Sequence, residues 1–331
     1  MRSIANIRVQ PVWPVRPALH LFTLAVCFLF AAGSTLAQDD YRKTLHSNNR
    51  TLELQISSEF SPAQREHLIA WLDYISTSLL QVYGHWPRQT WRVSVTPASS
   101  TNTDPIPWAQ VNRDKIDSVE FFTAPQATTE QLVREWTGYH ELAHLLIPYR
   151  GWGDNWFSEG LASYYQTILQ ARSGILNEQQ AWQEIFDGFR RGEADSGFDG
   201  RKLYEVSDAM REDGGFMRVY WSGAWYFLAV DIRLRQQSGG KNSLDLALEK
   251  LNHCCADESM SVPQIISKLD ELNQVLLFQQ LYDRVNTSTK MPSFEKIFAS
   301  IGVTVVDDKV LLQDAGPGAL LRQQIVQPRP L

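Results

Sequence analysis

Cysteine is scarce in this sequence, with three among 331 residues. Cys27 sits in an apolar stretch near the N-terminus, and Cys254 and Cys255 are neighbours. A bridge between adjacent cysteines closes almost no loop. No disulfide framework can therefore staple the fold, and the pair is expected as two small apolar side chains at a helix end. Positive charge is also in deficit. Lys and Arg number 31 against 37 Asp and Glu, a formal charge of −6, which argues against nucleic acid or an anionic membrane surface as partner. There is no internal repeat, and beyond residue 32 no run is long and apolar enough to cross a bilayer, so no span is expected in the mature chain. What the chain does have is material for a core. It is 44% hydrophobic, 11% aromatic and 21% charged, proportions that suit one large globular domain or two lobes.

The N-terminus has its own character. Arg2, Arg8 and Arg16 precede or open an apolar run from Ala18 to Ala32, and the small residues Ala31-Ala-Gly-Ser-Thr-Leu-Ala37 overlap its end. This is the pattern of a secretory signal peptide over 1–37, with cleavage expected after Ala37 and export to the periplasm or the medium. A membrane anchor is the other reading, but the run is short and His20 interrupts it. Residues 38–127 are expected as an α/β front lobe. Alternation marks strands at 51–57, 91–96 and 118–122, and residues 38–50 and 98–107 are polar and loop-like. A helix begins at Ser61-Pro62-Ala-Gln64, which offers a cap, a proline at the first helical position and a capping box. Residues 128–315 are mostly helical, with helices expected at 129–147, 155–172, 178–190, 216–237, 243–252, 262–270, 274–285 and 292–301. A long surface loop with room for one short helix is expected over 192–215, a strand or hairpin over 303–312, and a C-terminal tail over 316–331.

One motif carries chemistry. His140-Glu-Leu-Ala-His144 is H-E-x-x-H. On a helix, residues four apart share a face, so both imidazoles can reach one ion, while Glu141 stands beside it without ligating and can take a proton from an attacking water. Local sequence supplies the helix, from a capping box at Thr128 to Gln131 through an apolar stripe to a stop at Pro148. A site of this kind needs a third protein ligand. The metzincin extension would place Gly at 147 and His at 150, where Ile147 and Arg150 stand. His253 is the one remaining downstream histidine, and Glu159 is the better candidate. It lies in Asn155-Trp-Phe-Ser-Glu-Gly-Leu-Ala-Ser-Tyr-Tyr165, after the Gly-Trp-Gly turn at 151–153 that lets the chain double back, with Asp154 as helix cap. His140, His144 and Glu159 would hold one zinc ion and leave a coordination position open.

These residues resemble a known family. His140-Glu-Leu-Ala-His144 followed by Trp156-Phe-Ser-Glu-Gly-Leu-Ala-Ser-Tyr164 is similar to the gluzincin metallopeptidases, most of all the glycyl aminopeptidases and, more distantly, the aminopeptidase N family. Tyr220-Trp-Ser-Gly-Ala224 resembles the Tyr-x-Lys-Gly-Ala helix of those families, with Ser222 in place of the Lys. The resemblance covers roughly residues 117–302. It implies an α+β, thermolysin-like, two-lobed domain: an α/β front lobe, a helical back lobe and the zinc site between. It also implies peptide or protein substrates, and a hydrogen bond from Tyr220 to the oxyanion that forms at the scissile carbonyl. From its surroundings alone Tyr220 could equally be a core residue beside Trp221, Trp225 and Tyr226. Some parts of the family pattern are not expected in this sequence: the flanking β-sandwich and PDZ-type domains, and the Gly-x-Met-Glu-Asn motif that anchors a substrate's free amine. Glu120 is the candidate substitute for that anchor, set against the plainer role of a solvated strand residue. Two further readings stay open, a catalytically silent peptide-binding protein that keeps the fold and a zinc hydrolase of a non-peptide substrate.

Overall fold

The computed structural model describes residues 39–99, 103–149 and 153–328. The signal-peptide segment lies outside them. Asp39–Leu331 forms one compact unit, and among the described residues no helix is long and apolar enough to cross a membrane.

At the front is a five-stranded sheet. Its strands are β1 (Tyr41–Ser47), β2 (Arg50–Ile56), β3 (Thr90–Pro97), β4 (Trp108–Arg113) and β5 (Asp117–Thr123), in the order β1-β2-β3-β5-β4. The central three run parallel and the two edges antiparallel. β1 and β2 form a hairpin over Asn48 and Asn49, both at positive φ, which asparagine tolerates. The edge strands β1 and β4 fall in stretches expected to be irregular or left unassigned. Their side chains are mostly half-buried or exposed, so the in-out contrast that marks a strand is weak there.

Strand alternation gives the sheet two unlike faces. Leu52, Leu54, Ile56, Trp91, Val93, Val95, Val119 and Phe121 are buried on one. Against this face lies helix α1 (Pro62–Ser78), with Trp71 edge-on to Phe121 at 5.0 Å. The other face is polar and wet, with Arg92 paired to Glu53. The capping box at Ser61 and Gln64 forms as expected. The short α2 (Leu80–Tyr83) follows and ends on Gly84 at φ 81°.

The helix expected over 129–147 is divided. α3 (Thr129–Arg134) stops at Glu135, which is extended, and α4 (Trp136–Ala143) begins after it and runs into a 3-10 turn, His144–Leu146. The break frees carbonyls that distant side chains satisfy. Tyr139 donates to the Val133 carbonyl at 2.9 Å and Gln170 to that of Arg134 at 3.1 Å.

Helices α5 (Asn155–Arg172), α6 (Glu178–Ala194), α7 (Leu203–Asp213), α8 (Phe216–Ser238), α9 (Leu244–Cys255), α10 (Val262–Asn273), α11 (Leu277–Asn286) and α12 (Glu295–Ser300) build the back. α7 lies within the stretch expected as a loop with room for a short helix. Its buried stripe Leu203, Val206, Ser207 and Met210 has helical spacing that the surrounding charges mask. The hairpin of β6 (Val303–Val306) and β7 (Lys309–Leu312) forms where a strand or hairpin was expected. The supposed tail carries α13 (Pro317–Val326), anchored by buried Arg322, which binds Glu178 at 2.7 Å and the carbonyls of Gly302 and Gln313. Cys254 and Cys255 form a disulfide at the end of α9, not the pair of free thiols expected.

Candidate metal centre

α4 carries His140 and His144 on one face, and α5 brings Glu159 to meet them. A donor atom from each of the three lies within 4.8 Å of the others. Both imidazoles turn Nε2 toward the same carboxylate oxygen, at 3.2 Å from His140 and 3.7 Å from His144. Their other ring nitrogens are already engaged, Nδ1 of His140 with the Gln166 amide oxygen at 2.8 Å and Nδ1 of His144 with the Ser158 hydroxyl at 3.0 Å. Such outer partners fix the tautomer and aim of a ligating imidazole. Two nitrogens and one carboxylate oxygen converging from adjacent helices, each imidazole oriented from behind, fit a zinc ion with one position open.

The helix end beneath the site is clamped. Arg113 on β4 donates to the His144 carbonyl and pairs with Asp117 at 3.0 Å. Arg88 pairs with the same Asp117 at 2.5 Å and donates to the Ile147 carbonyl at 2.7 Å. These are carbonyls that a helix end leaves without intrahelical partners, so the clamp ties the turn that carries His144 to the sheet.

Glycine sets how closely α5 approaches α8. A Cβ on Gly160 would fall 2.2 Å from the Gly223 Cα, and one on Gly223 would fall 2.1 Å from the Trp156 carbonyl oxygen. Backbone contact at this crossing brings Glu159, one residue before Gly160, against Tyr220, three residues before Gly223. The Tyr220 hydroxyl lies beside the Glu159 carboxylate, near enough that each shifts the other's pKa, and the Tyr220 ring stacks on His140 at 5.8 Å. Tyr220 is therefore half-buried at the site and not a core residue.

Electrostatics follow from burial and proximity. Burial pushes the Glu141 carboxyl up to about 7, with the charge of Glu159 adding to this and His140 opposing it. Burial drives His144 down to about 3, so it stays neutral, the form that binds metal. Burial opposes the charge on Glu159, but His144, His140 and Tyr220 hold its pKa below the usual carboxylate range. Burial also opposes a charge on His140, yet the Glu159 hydrogen bond and the charges of Glu159 and Glu141 raise it. A positive charge is thus favoured between these carboxylates, and a cation answers the same demand.

Other expectations fare differently. Glu120 is not brought to the site. It lies on β5 between Val119 and Phe121, so it points to the wet face, away from α1 and α4, where Gln110 donates to it at 2.9 Å. Asp154 does not cap α5; its carboxylate accepts from Tyr282 at 2.8 Å. His253 is exposed on α9, and Trp152 lies outside the described residues. Gln166 and Ser158 were not anticipated. Gln166 had a signal in the sequence, since it follows Glu159 by two helical turns and shares its face.

The comparisons with known proteins point to the metallopeptidases in sequence pattern and in fold. The sequence pattern of the M61 glycyl aminopeptidase family matches residues 152–227, a stretch that holds Glu159, Gly160, Tyr220 and Gly223 but not the H-E-x-x-H helix. Among solved structures the chain is similar to an aminopeptidase N family protein from Idiomarina loihiensis, with TM-score 0.59 and 18% identity over 80% of this chain and 50% of that one. It is also similar to an M1 zinc metallopeptidase from Deinococcus radiodurans, with TM-score 0.51 and 15% identity over 77% of this chain and 53% of that one. A substituted form of the latter, bound to a Tyr-Ser-Ala substrate, matches with TM-score 0.50 and 16% identity over 77% and 54%. At these identities the likeness is one of fold, and the chain spans about half the length of the solved structures it matches. The comparison with curated proteins found no match.

Proposed function

We propose that the chain is a zinc-dependent peptidase, its single ion held by His140, His144 and Glu159. The observation that carries this is the convergence of those donors with Glu141 and Tyr220 at their margin, each a group that peptide hydrolysis uses. A zinc ion bound there supplies Lewis acidity toward the scissile carbonyl and an attacking water. Glu141, half-buried and with a raised pKa, takes the proton of that water and returns it to the leaving amine. Tyr220, beside Glu159, donates its hydroxyl to the carbonyl oxygen as negative charge develops on it. Aminopeptidase action is supported by the glycyl aminopeptidase pattern and lacks an amine anchor now that Glu120 faces away. The N-terminal stretch supports export of the mature protein to the periplasm or the medium.

The test is a peptide-library digest by the zinc-loaded chain, read by mass spectrometry, before and after chelation. Cleavage that chelator abolishes and zinc restores is expected. Turnover of esters alone favours the non-peptide hydrolase, and zinc binding without any turnover favours the silent binding protein. Within the active protein, Tyr220→Phe is expected to lower kcat about 10²–10³-fold, the usual cost of one oxyanion donor, with zinc content retained. Unchanged kcat would remove Tyr220 from the mechanism.

A further inference from the structure

Another face of α8 carries a groove of different chemistry. Trp225 follows Tyr220 by five residues, which turns it about 140° round the helix axis. There Trp225, Ala229 and Ile232 of α8 and Ile297 of α12 supply the apolar lining of a cleft of about 410 Å³. Arg233, Arg284 and Lys296 line the same cleft. A second cleft of about 350 Å³ adjoins it, sharing Arg284 and Ser293 and adding Lys290. Together they make one groove, and no Asp or Glu lines either part. Its aromatic wall is fixed in place. The Trp225 indole donates to the Ser293 carbonyl at 3.0 Å, and the Arg284 guanidinium stands over the ring at 5.6 Å.

The four cations are exposed, on a chain whose formal charge is −6. Among the described residues none of them has an ion pair or a side-chain hydrogen bond, whereas Arg190, Arg201 and Lys268 pair with Glu193, Asp213 and Glu271. Like charges gathered without a counter-charge repel one another, and an anion in the groove offsets that cost. The chain's undescribed residues, 1–38, 100–102, 150–152 and 329–331, contain no Asp or Glu. Cations in both adjoining clefts beside one apolar wall suit an extended chain with several carboxylates better than a single small anion. We propose that the groove binds an acidic peptide segment of another protein, with carboxylates on Arg233, Arg284, Lys290 and Lys296 and an apolar side chain against Trp225 and Ile297. Charge complementarity draws such a segment to this patch and away from the acidic remainder of the surface. The inference goes beyond the peptidase reading and does not depend on it.

The experiment measures fluorescence anisotropy of a labelled peptide, blocked at both ends, in which Asp and Glu flank a central Phe. Its Asn and Gln analogue is the neutral partner, and the full chain is used. The acidic peptide is expected to bind about tenfold or more tightly than the analogue, and to weaken as salt rises. Arg284→Glu and Lys296→Glu should each weaken it about fivefold or more, since reversal replaces an attraction by a repulsion. Lys268→Glu, which lines neither cleft, should leave it unchanged. Should loss of the Trp225 contact unfold Arg284→Glu, Lys296→Glu carries the test, because Lys296 has no such partner to lose. Affinity should be the same with zinc bound and after chelation. Equal binding of the two peptides, groove variants that bind like wild type, or binding that chelation abolishes would overturn the proposal. So would a single-stranded oligonucleotide of matched charge that binds as tightly, the mark of a general polyanion patch. Self-association of the chain that Arg284→Glu abolishes would make a second copy the occupant and overturn it too.

Discussion

Glu141→Gln is expected to cut peptide turnover by about two to four orders of magnitude, the range that general acid–base catalysis supplies, while one zinc ion per chain is retained. The reason lies in position. Glu141 follows a ligand on α4 but is not one of the three converging donors, so its loss removes a proton carrier and not a metal bond. The amide is nearly the same size and cannot take a proton at neutral pH. Burial already lifts the carboxyl to about 7, which suits a group that must both accept and return a proton near that pH. Single-turnover kinetics with a metal assay on the same preparation checks both halves. Loss of zinc together with activity would make Glu141 a ligand, and full activity would mean that another group is the base.

The second large effect concerns the crossing of α5 and α8. Carbon atoms in contact prefer about 3.5–4.0 Å, and a methyl group at Gly160 would lie 2.2 Å from the Gly223 backbone. No side chain can rotate away, so the helices must part. Gly160→Ala should therefore cost about 3 kcal/mol or more, the upper end for overpacking, and lower Tm by about 5–10 °C. Separation of the helices also draws Glu159 away from Tyr220 and the imidazoles, so weaker zinc binding should accompany the stability loss. Gly197, where a methyl group would meet nothing within 4 Å, is the control, and Gly197→Ala should change stability by less than about 0.5 kcal/mol. Thermal melts with and without zinc separate the two effects. A Gly160→Ala protein as stable and as tightly metallated as wild type would contradict the close crossing.

The parts of this molecule that were legible in sequence are those whose cause is local. The two histidines of the candidate site lie a helical turn apart in one short motif, and the capping boxes at Ser61 and Thr128 form as their residues suggest. The long amphipathic helices of the back also announce themselves by spacing. What was not legible depends on distant partners. The break at Glu135 persists because Tyr139 and Gln170 satisfy the freed carbonyls. The helix α13 exists because Arg322 finds Glu178 and the turn after α12 across the fold. β1 and β4 escaped notice because an edge strand wet on one face shows little alternation. Glu120 is a different case. Its neighbours Val119 and Phe121 are apolar, so strand parity alone assigned it to the face opposite the helices, and the sequence contained that answer.

The central claim is that one divalent ion is shared by two imidazoles and one carboxylate on neighbouring helices. X-ray absorption of the zinc-loaded chain, with titration of the wild type, His144→Ala and Glu159→Ala, tests it most directly. One ion per chain is expected, coordinated by two imidazole nitrogens and a carboxylate oxygen. Each substitution should weaken binding by more than the roughly 10–100-fold typical of losing an outer partner. Zinc bound equally well by all three proteins, or coordinated by sulfur or by a different number of imidazoles, would contradict the account.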